Sequence, residues 1–119
     1  DLETWNFQKN LLRNDRAFLS TIRDPVTSKL IGCGLFQINE KTSIYATAAY
    51  DRKLFSKPLG HLVQWNAILH MKSINLDRYY VGRYFTMRDN PRPTDKELSI
   101  SQFKKGFTDR VALKIIATF

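Results

Sequence analysis

The feature that most constrains this chain is a hydrophobic period that changes once and then changes back. From Arg16 to Tyr50, apolar residues come in short stretches separated by turn chemistry, DPVTSK (Asp24 to Lys29) and NEKT (Asn39 to Thr42). From His61 to Ile74 the period is helical. Val63, Ala67, Met71 and Ile74 make one stripe, widened by Leu62, Trp65, Ile68 and Leu69, which predicts a well-buried helix. RYYVG (Arg78 to Gly82) then returns to a short strand. A strand, a helix and a second strand close most simply as a parallel, right-handed βαβ unit. The segments before it, Arg16–Arg23, Leu30–Asn39 and Ser43–Tyr50, are joined by turns short enough for an antiparallel meander. The expectation is an α/β fold with a mixed sheet, residues 1–119 forming one domain.

The flanks complete this outline. Leu2 to Asn14 reads as a helix with Leu2, Trp5 and Leu12 inward, joined by Phe7 and Leu11. Gly32 and Gly34 mark a bulge or a close approach in the second strand. TMRDNPRPT (Thr86 to Thr94) is a proline-rich loop. A helix follows, capped by Thr94 with Glu97 or by Ser99 with Gln102, and stopped at Gly106. Ile100, Phe103 and Phe107 share a face that would anchor it. Arg110 to Phe119 reads as a final strand.

Nineteen Lys and Arg against eleven Asp and Glu give a net charge of +8. That balance favours an anionic partner: nucleic acid, a phosphate-bearing cofactor or an acidic surface. A single Cys33 excludes an internal disulfide and fits a reducing, cytoplasmic setting. No apolar run reaches the roughly 20 residues of a membrane span, and no signal-peptide pattern is present. The chain opens on Asp1 rather than Met, which fits a piece of a longer protein. His61 and His70 lack carboxylates at metal-ligand spacing, so no metal is expected.

A meander leading into a parallel crossover makes a switch point, where ligands favour strand ends and helix N-termini. The helix opening after Pro58 would offer the N–H groups of Gly60, His61 and Leu62 to an anion, with Lys57 as a nearby cation. Tyr50 and Asp51, ending the third strand, would orient an acceptor. Tyr79 and Tyr80 cannot both face inward from a strand, so one, taken as Tyr80, would line the acceptor channel. Lys104 and Lys105 fall in the last turn of the final helix, where the dipole alone accounts for positive charge. Cys33, inside a strand between glycines, is a poor nucleophile.

Several segments resemble the FemABX-type branch of the Gcn5-related N-acetyltransferase superfold: ATAAYD (Ala46 to Asp51), PLGHLVQWNAILHMK (Pro58 to Lys72), RYYVGR (Arg78 to Arg83) and KELSISQFKKGF (Lys96 to Phe107). Together they cover most of Leu30 to Phe107. The K-x-x-G-x-L of Lys57 to Leu62 is similar to the Q/R-x-x-G-x-G/A loop that holds the cofactor pyrophosphate in that superfold. The last segment contains the F-K-x-G-F element that the FemABX branch carries near its end. The resemblance implies transfer of an acyl or aminoacyl group to an amine, with acyl-CoA, acetyl-CoA or aminoacyl-tRNA as donor. It implies Lys104, with Phe103 before it, at the transfer centre. It also departs from the family. Those enzymes are longer, often two-domained, and carry glycines where this chain has Thr108 and Asp109. A dimer or a partner domain would then complete the site.

Two functional classes follow. One is an N-acyltransferase acting by direct attack of the amine, with proximity supplying much of the acceleration. The other is a non-catalytic module of the same fold that binds RNA or a protein partner.

Overall fold

A computed structural model describes residues 1–54 and 56–112; the strand expected over Arg110 to Phe119 falls mostly outside the described residues. The chain divides into two compact units, Asp1–Tyr80 and Val81–Phe119.

The first unit runs α1 (Leu2–Arg13), β1 (Ala17–Arg23), β2 (Leu30–Asn39), β3 (Thr42–Tyr50), α2 (Leu59–Ser73) and β4 (Arg78–Tyr80). The four strands form one sheet in the order β1-β2-β3-β4. β1, β2 and β3 are the expected antiparallel meander, and β4 pairs parallel with β3. The turns use their residues as the sequence implies. Asp24 Oδ1 accepts from the N–H groups of Val26 and Thr27, at 2.8 and 3.0 Å, and Ser28 and Glu40 carry the positive φ that the tight reversals need.

α1 forms where expected, with Asp1 capping the N–H of Thr4 at 2.7 Å. Its inward face is not the expected one. No residue of α1 is buried, and Leu2, Trp5 and Phe7 are exposed. Leu11 and Leu12 are half-covered, because the end of the helix, leading into β1, is the part held against the sheet.

α2 lies across one face of the sheet and supplies most of the core. Phe36, Val63 and Ala67 are completely buried and Met71 nearly so, with Phe18, Ile22, Tyr45, Tyr50, Leu76 and Tyr79 packed around them. Gly34 permits this approach, since a Cβ there would meet Val63 at 2.7 Å and Phe36 at 2.9 Å. Ser20 on β1 donates to the Val63 carbonyl at 2.8 Å and ties the helix to the edge strand.

The expected stripe of α2 is corrected on one side. Leu62, Trp65, Leu69 and Ile74 are exposed, Trp65 at 55%, while Gln64 is wholly buried. Residues two apart on a helix differ by roughly 200°, so with Val63 facing the sheet Trp65 points away. The core stripe is Leu59, Val63, Ala67 and Met71, with Gln64 beside it.

In the second unit, residues 81–94 form an irregular segment and α3 spans Asp95–Lys105. Of the two candidate caps the helix uses Thr94: its side chain accepts from the Glu97 N–H while Glu97 accepts from the Thr94 N–H. Gly106 ends the helix as expected but in a right-handed conformation, so its glycine freedom is unused there. The anchoring face is also corrected. Ile100 is exposed and Phe103 and Phe107 are half-buried, edge to face with centroids 5.4 Å apart; the buried residue of α3 is Ser101. Its hydroxyl accepts from the Phe85 N–H at 2.8 Å and fastens the segment before α3 to the helix.

Candidate functional site

The crossover leaves half of β3 open. β3 and β4 pair only at Thr42–Arg78, Ser43–Tyr79 and Ile44–Tyr80. Beyond that, Tyr45 to Tyr50 has no strand on this edge among the described residues. α2 runs back against the strands, so its N-terminus returns to this open end.

A β-bulge shapes the opening. Phe36 opposes Tyr45 while Leu35 opposes Thr47, so Ala46 is an extra residue on β3. Tyr45, before it, and Tyr50, after it, therefore both face α2. Tyr45 stacks on Phe36 with centroids 5.4 Å apart, and Tyr50 lies over Gly32, where a Cβ would stand 3.3 Å from its ring.

These residues surround the buried Gln64. The Tyr79 hydroxyl donates to Gln64 Oε1, and the Gln64 amide nitrogen is buried with no hydrogen-bond partner. Burial pushes all three phenols up. For Tyr50 and Tyr79 the Tyr45 hydroxyl adds to that, while for Tyr45 the neighbouring Tyr50 and Gln64 side chains offset part of it. All three stay protonated at neutral pH, as hydrogen-bond donors rather than bases.

At the other end of the opening, the segment after Tyr50 makes a 3-10 turn over Arg52–Leu54. Asp51 is used in that turn: its carboxylate accepts from the Lys53 N–H at 3.0 Å. Lys57 is exposed beside the start of α2, and Gly60 and His61 lie in its first turn. Leu62 does not belong with them. α2 begins at Leu59, two residues earlier than expected, and the Leu62 N–H donates to the Pro58 carbonyl at 3.1 Å. Asp24 comes near this end as well. Its carboxyl is held below the usual range chiefly by the N–H groups of Thr27 and Val26, with a smaller contribution from the charge of Lys57.

Tyr79 and Tyr80 divide as a strand requires: Tyr79 is turned toward α2 and Tyr80 is half-exposed. Cys33 is partly buried and its thiol is pushed up by burial, against a nucleophilic role.

In the second unit the two lysines separate clearly. Lys105 is exposed, whereas Lys104 folds back over Gly82, where a Cβ would stand 2.8 Å from its amine. Gly82 has φ +112°, a conformation that side-chain-bearing residues rarely adopt. Burial lowers the Lys104 pKa. Phe103, before it, is half-buried.

Gln64, Tyr45 and Tyr79 are the residues that sequence reasoning missed. The available signal was a polar side chain one position from Val63 inside an otherwise apolar stripe.

A meander with a bulged third strand, followed by a parallel crossover that parts after three registers, defines a Gcn5-related acetyltransferase-like fold. Solved structures agree. An acetyltransferase from Trypanosoma brucei superposes with a TM-score of 0.64 at 11% identity, over 93% of this chain and 74% of its own. The tetramutant of a Bacillus halodurans protein superposes with a TM-score of 0.65 at 12% identity, over 95% and 71%. No protein-family model and no curated protein matches the chain. Among the described residues, no helix is long and apolar enough to cross a membrane.

Proposed function

We propose that this chain is an N-acyltransferase that passes an acyl or aminoacyl group from an activated, phosphate-bearing donor to an amine. The observation that carries this is the open edge of β3, Tyr45 to Tyr50, lying at the same end of the sheet as the N-terminus of α2. A donor's phosphates would be held by Lys57 and the first turn of α2 at Gly60 and His61, and its acyl arm would lie along the unpaired strand edge. Tyr50, Asp51 and Tyr80 would position the acceptor. The neutral phenols of the β3 face suit donation to developing negative charge.

The FemAB-like resemblance assigns the transfer step to Lys104, with Phe103 holding its helix. The seat over Gly82 and the lowered pKa support a role for Lys104 that Lys105 does not share. The amine attacks the donor carbonyl, the tetrahedral intermediate collapses with loss of the thiol or the tRNA hydroxyl, and the proton leaves with that group. No covalent enzyme intermediate is needed.

The test is ligand-induced stabilisation with acetyl-CoA, longer acyl-CoAs and an aminoacyl-tRNA mimic. A rise in melting temperature with one class names the donor. No rise with any of them, together with salt-sensitive RNA binding, would overturn the enzymatic reading in favour of a binding module.

A further inference from the structure

We propose that the buried Gln64 aims the Tyr45 hydroxyl at the donor's acyl carbonyl, which makes Tyr45 a catalytic hydrogen-bond donor and Gln64 its positioning residue. This deepens the acyltransferase reading and rests on it.

The location follows from where the strands part. β3 and β4 pair last at Ile44–Tyr80, and Tyr45 is the next residue, the first on the unpaired edge. A donor held by its phosphates at the first turn of α2, with its arm running from the Tyr50 end of that edge, brings its carbonyl to this vertex. Tyr45 is only partly covered there, whereas Gln64 is wholly buried. The ligand therefore meets the phenol and not the amide.

The direction follows from the donors and acceptors at hand. The Tyr79 hydroxyl has one proton and donates it to Gln64 Oε1, which turns the amide nitrogen away from Tyr79. That nitrogen has no hydrogen-bond partner among the described residues. The acceptor beside it is the Tyr45 hydroxyl oxygen, whose other polar neighbour is the Tyr50 side chain. A phenol oxygen can accept twice and donate once. With Gln64 and Tyr50 donating to it, the proton of Tyr45 is left pointing out of the cluster, toward the open edge. An unpaired amide is costly in the core, and turning that proton outward is what gives it a partner.

In the transfer step the amine nitrogen bonds to the acyl carbon and the carbonyl oxygen gains negative charge. Tyr45 donates a hydrogen bond to that oxygen and keeps its proton, as a phenol pushed up by burial does at neutral pH. The carbonyl then re-forms, the bond to the thiol sulfur or tRNA oxygen breaks, and the amine's proton leaves with that group.

The test is isotope-edited infrared spectroscopy with a donor labelled with carbon-13 at its carbonyl: acetyl-CoA, a longer acyl-CoA or the aminoacyl-tRNA mimic, whichever raises the melting temperature. Bound to the wild type, the carbonyl band is expected below that of the free donor. Tyr45→Phe should abolish this shift and lower kcat by about a hundredfold while the donor still binds. Gln64→Leu combined with Tyr79→Phe keeps Tyr45, leaves no orphaned hydroxyl, and should nevertheless lose the shift. A purely structural role for Gln64 would weaken binding and leave the band of the bound donor where it was. Binding of none of the three donors overturns both this proposal and the acyltransferase reading. A donor that binds with its band unshifted, or a shift that survives in Tyr45→Phe or in the double variant, overturns the proposal and leaves that reading standing. If the double variant does not fold, Gln64→Met, close in shape and without a donor, decides by the same band.

Discussion

Tyr45 and Tyr50 stand five positions apart on one strand and nevertheless share a face. An odd separation should place them on opposite sides of the sheet; the extra residue Ala46 reverses that alternation. The polar cluster beneath α2 keeps both phenols because the strand bulges at Ala46 and so absorbs the odd spacing.

Deleting Ala46 should regularise the strand rather than turn it over. Tyr45 and Tyr50 would then stand four apart, an even separation that keeps both toward α2, while the kink on the open edge is lost. The variant is expected to fold, at a cost of about 0.5–2 kcal/mol in urea unfolding and with Tyr50 still covered. A deletion variant in which Tyr50 becomes exposed would show that Ala46 is not the extra residue of the strand.

Gln64 and Tyr79 are expected to behave as a coupled pair. Gln64→Leu alone leaves the Tyr79 hydroxyl without its acceptor and should cost about 1–3 kcal/mol. Adding Tyr79→Phe removes both partners and should recover most of that loss. The comparison is a double-mutant cycle by chemical denaturation; additive effects would exclude the pairing.

Raised and lowered pKa values give opposite alkaline behaviour. The three phenols have folded pKa values above the ordinary 10.0, so their stability contribution is present below that pH and is lost as pH rises past it. Lys104 is lowered from 10.5, so its contribution runs the other way and stability rises as pH approaches that value. Absorbance at the tyrosinate band should show Tyr45, Tyr50 and Tyr79 ionising only with unfolding. Tyr79→Phe should shift the alkaline midpoint, and Lys104→Met should flatten the opposing slope.

Gly34→Ala should destabilise by about 1–3 kcal/mol, because its Cβ would strike the buried Val63. Gly32→Ala should cost less, its nearest neighbour being the Tyr50 ring at 3.3 Å. Equal melting temperatures for the two variants would contradict the close approach of α2 at Gly34.

Lys104→Ala is expected to lower acyl transfer by about a hundredfold, and Lys105→Ala to leave it near wild type. Gly82→Ala should act on Lys104 through its seat: strain at positive φ costs about 1–2 kcal/mol, and the displaced amine should titrate closer to an ordinary lysine by NMR of the methylated protein. Equal activity and stability for the two lysine variants would refute the assignment.

The sheet was legible because its signals are local. Strand alternation, the DPVTSK and NEKT turns and the helical run after Pro58 each act within a few residues, and they led to the meander and the crossover. What the sequence obscured depended on rotation and partners. The 3.6 period admits Trp65 to a wide stripe, but the face that packs is decided by Gly34 letting Val63 descend, which leaves Trp65 outside and Gln64 inside. The bulge at Ala46 leaves no compositional mark, so Tyr45 could not be joined to Tyr50 in advance. Leu2 and Trp5 have the spacing of a buried face with nothing local to say what covers it. That Gly60 and His61 lie at a helix start, with Lys57 just before it, was legible from Pro58; the helix begins at Leu59 rather than His61, so the Leu62 N–H is already taken by the Pro58 carbonyl.

The Ser20–Val63 bond joins residues 43 apart in sequence. It cannot form until the edge strand and the crossover helix are both in place, and β4 can join β3 only after the intervening helix has folded back. Loop closure of that kind is favourable only late, which places the first unit among slower-folding α/β topologies rather than helical bundles. During that delay the long edges of the meander are exposed before their partners arrive. Refolding yield should therefore fall steeply with protein concentration.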